Sequence, residues 1–365
     1  MIDVGLVIGA LALLAALALV PRIAARPGPD HLPGGSYGDR VAAPDPLDDV
    51  VQDQGNTVPL PGGRVLWIFA DTASVTAPVF FRTSSAGIAD GRAVRLRYVT
   101  GRDGVPLEFL PRTRRERAAA GKGRYTAVWP TGATTLPDGR ILIAYTKYRV
   151  RSDPLEFRFL GAGLYEHRVD RFTDQGGAGP ARRVADDIWT APDGAIASPI
   201  YADGFVYFIQ CEDNRCYSLR TTPDAVAERT SYRWWTGEGW SSARPARRAM
   251  QFGGDRPGRN PAIAYLPEFG VFALTNTSGG IQSRTGLIWV APHPWGPWSA
   301  PAFFPLPGCL KAGCYTLNLH PESSLAGAVR VSYATAGVGP FVLVADVPLI
   351  VRGGGRSVAT RAGQS

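Results

Sequence analysis

Asp53 and Asp71 close off a stretch, DQGNTVPLPGGRVLWIFADT, whose pattern could bring two carboxylates together. Two apolar-rich runs, Thr57–Leu60 and Arg64–Phe69, flank Pro61-Gly62-Gly63. Such runs joined by a short Gly-containing loop form a β-hairpin. With those three residues as the loop, Leu60 faces Arg64, and the same register sets Asp53 opposite Asp71. Directly opposed residues have Cβ atoms about 4.5–5.5 Å apart, and like charges there are destabilising. A sequence shaped by stability alone avoids that. Close carboxylates also push one pKa up and the other down, which suits a general acid beside a base or nucleophile. The alternative is a bulge that slips the register and leaves both acids as solvated turn residues.

The hairpin is one of five. An apolar strand, a short turn with Gly or Asp, then a more apolar strand recur at Asn56–Phe69, Thr126–Tyr145, Ala197–Gln210, Asn260–Leu274 and Leu317–Tyr333. A third strand follows at Val79–Thr83, Gly163–Val169, Cys216–Arg220, Gly286–Ala291 and Phe341–Ala345. Repeats of roughly 60 residues with three or four strands each predict an all-β fold, a five-bladed β-propeller. The competing architecture is a β-sandwich with coincidental hairpin spacing. In a propeller, the start of each innermost strand and the loop leaving each second strand meet at one mouth of the central channel. That rule nominates Asn56, Trp129, Ser198, Arg259, Asn260, Asn318 and His320 as channel-mouth residues able to contact a ligand. Arg, Asn and His there can hydrogen-bond sugar hydroxyls, and Trp129 offers an apolar platform. His320 competes for a second role as a buried structural histidine. Glu212, just past the second strand of unit three, sits where Asp71 sits in unit one, and is otherwise a loop residue. Asn276 is the match in unit four. Between units one and two, Arg112, Arg114, Arg115 and Arg117 mark a short helix with a solvated charged face, the alternative being a contact with an anionic polymer.

The acid before the first hairpin strand, and the strand ending in Phe69-Ala70-Asp71-Thr72, resemble a bacterial five-bladed propeller family grouped with endo-D-arabinanases. Ala70 stands where that motif more often has Gly. The resemblance implies a glycoside hydrolase that cuts cell-wall D-arabinan, with Asp53 and Asp71 as its two essential aspartates. It also implies a polysaccharide partner such as arabinogalactan or lipoarabinomannan. A glycosidase needs an acid for the leaving oxygen and a base or nucleophile on the other face. A catalytically silent carbohydrate-binding or scaffold propeller at the cell surface is the alternative.

Composition fits a folded β protein: 45% hydrophobic residues, 19% charged, 43 Gly and 31 Pro. The net charge is +8, and Lys occurs only at 122, 147 and 311, so the base is almost all Arg. An Arg- and Ala-rich, Lys-poor chain points to a GC-rich genome, as in actinobacteria. A basic surface favours anionic polymers or membranes, but no nucleic-acid motif is present. No G-x-S-x-G, H-E-x-x-H, Gly-rich phosphate loop or sialidase-type repeat turn occurs. The four histidines are scattered without metal-ligand spacing, so no cofactor is expected, with structural calcium left open.

Residues Val4–Val20 are continuously apolar, at the short end of a membrane span and long for a signal-peptide core. Basic residues follow rather than precede them, which by the positive-inside rule would leave the domain in the cytoplasm. The cysteines argue for export. Cys211/Cys216 and Cys309/Cys314 form two local pairs, read as two disulfides and hence an oxidising compartment. Free thiols or a zinc site are the alternatives. The expected layout is 1–26 signal peptide or membrane anchor, 27–49 Pro/Gly-rich linker, 50–352 propeller and 353–365 flexible tail. The domain is expected outside the cytoplasm, secreted or membrane-anchored.

Overall fold

The computed structural model describes residues 39–40 and 50–360, apart from 75, 77–78, 122, 174–177, 192, 213–214, 246–260, 280–281, 310–311, 338–339, 353–354 and 356. The apolar N-terminal segment, Arg259 and Asn260 lie outside the described residues.

The described chain is all-β and propeller-like. Strands Val51–Pro59, Arg64–Ser74, Ser85–Asp90 and Arg97–Tyr98 make sheet one. Sheet two runs Arg124–Thr135, Arg140–Ser152, Leu155–Arg168 and Arg182–Trp189. Sheet three begins Ala195–Ala202, Phe205–Glu212 and Arg215–Thr221, and sheet four Ala262–Leu266, Val271–Thr277 and Thr285–Ala291. Sheet five holds Cys314–Leu319, Ala328–Thr335 and Val342–Arg352. The first strands of the five sheets neighbour one another in a closed cycle. Each junction between consecutive sheets has its own apolar core. This explains why second strands read as continuous apolar runs: in Arg64–Ser74 every residue after the first is buried, since both faces are covered.

Three expectations are corrected. The third strand of sheet one is Ser85–Asp90; Phe80–Arg82 pairs only with Thr72–Ser74 at the far end of its neighbour. Asp39–Arg40, placed in the linker, pairs with Leu343 and Val344 at the outer edge of sheet five. Ser357–Thr360, placed in the tail, pairs with Leu349–Arg352. Both strands are too short and polar to show a period. The basic insertion does form a helix, Arg114–Ala118, with a Thr113/Glu116 capping box. Arg112, however, is buried and pairs with Glu108 at 2.6 Å.

Both cysteine pairs are disulfides. Cys211 and Cys216 face each other across neighbouring strands, with Cα atoms 4.1 Å apart. Cys309 and Cys314 have Cα atoms 5.6 Å apart.

Candidate active site

The first hairpin turns through Pro61–Gly63 as expected, and Gly62 and Gly63 take φ of 75° and 73°, which suit glycine. Leu60 N–H donates to the Arg64 carbonyl at 2.8 Å. The ladder follows the expected register at Pro59↔Val65, Asn56↔Ile68, Gln52↔Thr72 and Val51↔Ala73. Between them a bulge intervenes. Gln54 (φ 69°) and Gly55 (φ 112°) turn left-handed, and Gln54 slips opposite Phe69. Asp53 and Asp71 are therefore not a ladder pair, yet the bulge does not expose them. Asp71 is buried and Asp53 half-buried. Gly55 is fixed by contact as well as conformation, because a Cβ there would stand 3.1 Å from Ser332 Oγ and from Val342.

The same break recurs at the same level of the ring. Gly132 (φ 146°), Ser198 (φ 51°) and Thr316 (φ 54°) interrupt the first strands of sheets two, three and five. At these bulges a cavity of about 40 Å³ takes residues from all five first strands, including Asn56, Ser198 and Asn318. The amide nitrogen of Asn56 is buried there without a partner.

Asp71 is held by its neighbour sheet. The Tyr125 hydroxyl donates to Oδ2 at 2.7 Å and the Trp129 indole N–H donates to Oδ1 at 2.8 Å. Burial pushes its pKa up, and these two donors and the Arg112 charge pull it back. Asp53 Oδ2 accepts from the Tyr315 hydroxyl at 2.9 Å, across 262 residues of chain. Its Oδ1 is buried without a partner. Burial first, and the Asp71 charge second, raise its pKa further than that of Asp71. The Tyr315 hydroxyl and the Asp71 backbone N–H oppose the rise without cancelling it. The arrangement holds one proton more readily on Asp53 and one charge more readily on Asp71.

The other nominated residues fall into different places. Trp129 is beside the pair as expected, but its polar edge holds Asp71, and its ring packs on Tyr148 at 5.4 Å. Ser198 lines the cavity while donating to the Pro261 carbonyl at 2.5 Å, a tie between sheets three and four. Asn276 is buried, its Oδ1 accepting from Thr277 N–H at 2.8 Å. His320 is 0% exposed, so the expected sugar contact gives way to a structural place. Its Nδ1 lies 2.6 Å from the Thr57 hydroxyl and its ring 4.8 Å from that of Trp67. Burial lowers its pKa to about 3, so it is neutral at ordinary pH. The Glu212 backbone ends the second strand of sheet three, opposite Arg215.

Tyr125 and Tyr315, the donors to the two acids, were not nominated from the sequence. Tyr315 directly follows Cys314, and Tyr125 is the second residue of its strand. Neither has a local signal, because each meets its acid only through the ring. Among the described residues, no group of three or more metal-ligating side chains comes together.

No family model matches the sequence, and no curated protein matches it. Solved structures match the fold. A candidate hydrolase from Bacteroides ovatus superposes with a TM-score of 0.60 at 15% identity, covering 81% of this chain and 85% of that one. A GH43_1 enzyme from Xanthomonas citri complexed with xylose gives 0.52 at 12% identity, covering 96% of each chain. A GH43 β-xylosidase/α-arabinofuranosidase from a compost microbial metagenome gives 0.52 at 10%, covering 90% and 98%.

Proposed function

We propose that this chain is a glycoside hydrolase on a five-bladed β-propeller, acting on cell-wall arabinan in the manner of endo-D-arabinanases. The observation that carries the proposal is the Asp53/Asp71 pair: two carboxyls, one buried and one half-buried, each held by a tyrosine from a different sheet. In this reading Asp53 is the general acid. Its pKa is the more strongly raised, so it is the carboxyl that carries the proton for the leaving oxygen. Asp71 is the base or nucleophile, kept ionised by the Tyr125 and Trp129 donors. The glycosidases among the fold neighbours and the Phe69–Thr72 motif support the chemistry; the motif alone supports arabinan. Two disulfides favour an extracytoplasmic location, secreted or anchored by the N-terminal segment.

One observation favours the second reading, a silent carbohydrate-binding propeller. Asp71 is only 7% exposed, and the cavity of about 40 Å³ among the first strands is of a size for a water rather than a sugar ring. Product analysis after incubation with arabinogalactan decides. Released arabino-oligosaccharides support the enzyme; retention of the polymer on the immobilised protein without release supports the binding module.

A further inference from the structure

The strand that carries Tyr125 and Trp129 to Asp71 is followed in sheet two by two long neighbours. Arg140–Ser152 and Leu155–Arg168 have 13 and 14 residues, against 8 and 7 for Phe205–Glu212 and Arg215–Thr221 in sheet three. In this extension Arg124 stands directly opposite Arg151, and Arg149 directly opposite Arg158. Opposed residues of an antiparallel ladder point to the same side, and so do residues two apart in a strand. All four guanidinium groups therefore share one face. Two like-charge pairs across strands destabilise a sheet.

Acids offset only part of this face, and next to Arg149 on it Lys147 takes up Asp186 and Asp187. Glu156 pairs with Arg151, and Asp153 lies in the turn. Arg124, Arg149 and Arg158 are exposed, and their guanidinium groups make no hydrogen bond or ion pair among the described residues. Exposed arginine is ordinary on a surface; arginine opposite arginine, twice, in one three-stranded ladder is not what stability selects.

We propose that this arginine ladder is a binding surface for an anionic glycan, one bearing uronate carboxylates or phosphates. The planar guanidinium fork matches both groups bidentately. Paired rows of such forks suit a polymer with repeated charge. The choice of a glycan over an anionic membrane rests on the glycosidase reading. The other face of the same strands holds the Asp71 donors, and exposed Phe157 there lies 5.9 Å from the Trp129 ring. A chain gripped on the ladder can continue over that edge to the carboxyls.

The test measures binding, not cleavage. The purified protein is titrated with polygalacturonate, with neutral dextran, and with vesicles containing phosphatidylglycerol, at low and moderate salt. Polygalacturonate binds, more weakly as salt rises, and dextran does not. Arg149→Glu places an acid opposite Arg158; it weakens polygalacturonate binding about tenfold or more, the loss expected for a charge-assisted contact, and leaves the melting temperature unchanged or higher. Arg149→Ser/Arg158→Ser weakens binding without unfolding the protein. Equal affinity in parent and variants overturns the proposal. So does dextran binding of the same strength, or tighter binding to vesicles than to polygalacturonate. Binding that persists in a protein with no arabinan cleavage leaves this inference standing and removes the enzymatic one.

Discussion

Two clusters of acids are met by side chains from the same pair of strands in sheet two and are treated in opposite ways. Trp129 and Thr146 are ladder partners, as are their neighbours Val128 and Lys147. Trp129 serves Asp71; Lys147 turns the other way. There its ammonium lies 3.3 Å from Glu116, 3.2 Å from Asp186 and 2.7 Å from Asp187. Arg183 adds contacts to Glu116 at 2.8 Å and Asp186 at 3.0 Å. Despite burial, the contacts to Arg183 and Lys147 bring Glu116 down to about 2. Asp53 and Asp71 have no such cation; the nearest named charge, Arg112, is engaged by Glu108. Both of their pKa values rise. Where cations are supplied, acids are structural; where burial comes with neutral donors only, the acids remain poised to exchange protons.

The largest effect expected is on activity. Asp53→Asn or Asp71→Asn lowers arabinan cleavage by about 10³-fold, within the range for a general acid or base, while circular dichroism stays native. Retained cleavage in either variant removes that residue from the chemistry.

Next comes stability at the cation-rich cluster. Arg183→Ala leaves Glu116 buried with one partner fewer, and urea titration is expected to show a loss of about 3 kcal/mol. A loss under about 0.5 kcal/mol would mean that the cluster is solvated. The sign of the pH dependence follows from the lowered pKa. Glu116 contributes stability above the ordinary glutamate range, and that contribution is lost as pH falls toward about 2.

A smaller effect sharpens the roles within the pair. Trp129→Phe keeps an aromatic ring but removes one donor to Asp71, so the Asp71 pKa rises further. The acidic limb of the kcat/KM profile moves to higher pH, with about a tenfold loss of rate below neutrality. An unmoved limb assigns it to a different group.

The smallest effect is thermodynamic. With raised pKa values, the folded state binds more protons than the unfolded one, so these two acids weaken the fold as pH rises from the ordinary carboxylate range through their raised values. Asp53→Asn therefore leaves the melting temperature at pH 8 unchanged or slightly higher, with the difference vanishing near pH 4. A clear drop at pH 8 would mark Asp53 as a structural acceptor.

Apolar runs joined by short Gly- or Asp-containing turns were enough to read the five hairpins, and the Pro61–Gly63 loop was enough for the register at Gln52↔Thr72. Local spacing was enough for both disulfides. A bulge was the alternative register read from the sequence, but its place at Gln54–Gly55 was not legible, because Ser332 and Val342, which crowd Gly55, come from the last sheet. The same limit applies to Tyr315, whose contact crosses the ring; for His320 the buried role was one of the two read, but its partners Thr57 and Trp67 were not. For Trp129, a hydrophobic ring was visible in the sequence, and an indole donor aimed at Asp71 was not.

The pairing of Asp39–Arg40 with Leu343 and Val344 also sets a schedule. A ribosome adding about 5–20 residues per second needs roughly 15–60 s between making the two halves of that contact. The Tyr315 hydroxyl that steadies Asp53 arrives almost as late. Through that interval the nascent chain carries its first acid without its partner and its first sheet without a neighbour on one side. Edges of this kind are where strands pair with the wrong chain. For this molecule, the vulnerable period is its own synthesis, and the carboxyl pair is among the last parts of it to be assembled.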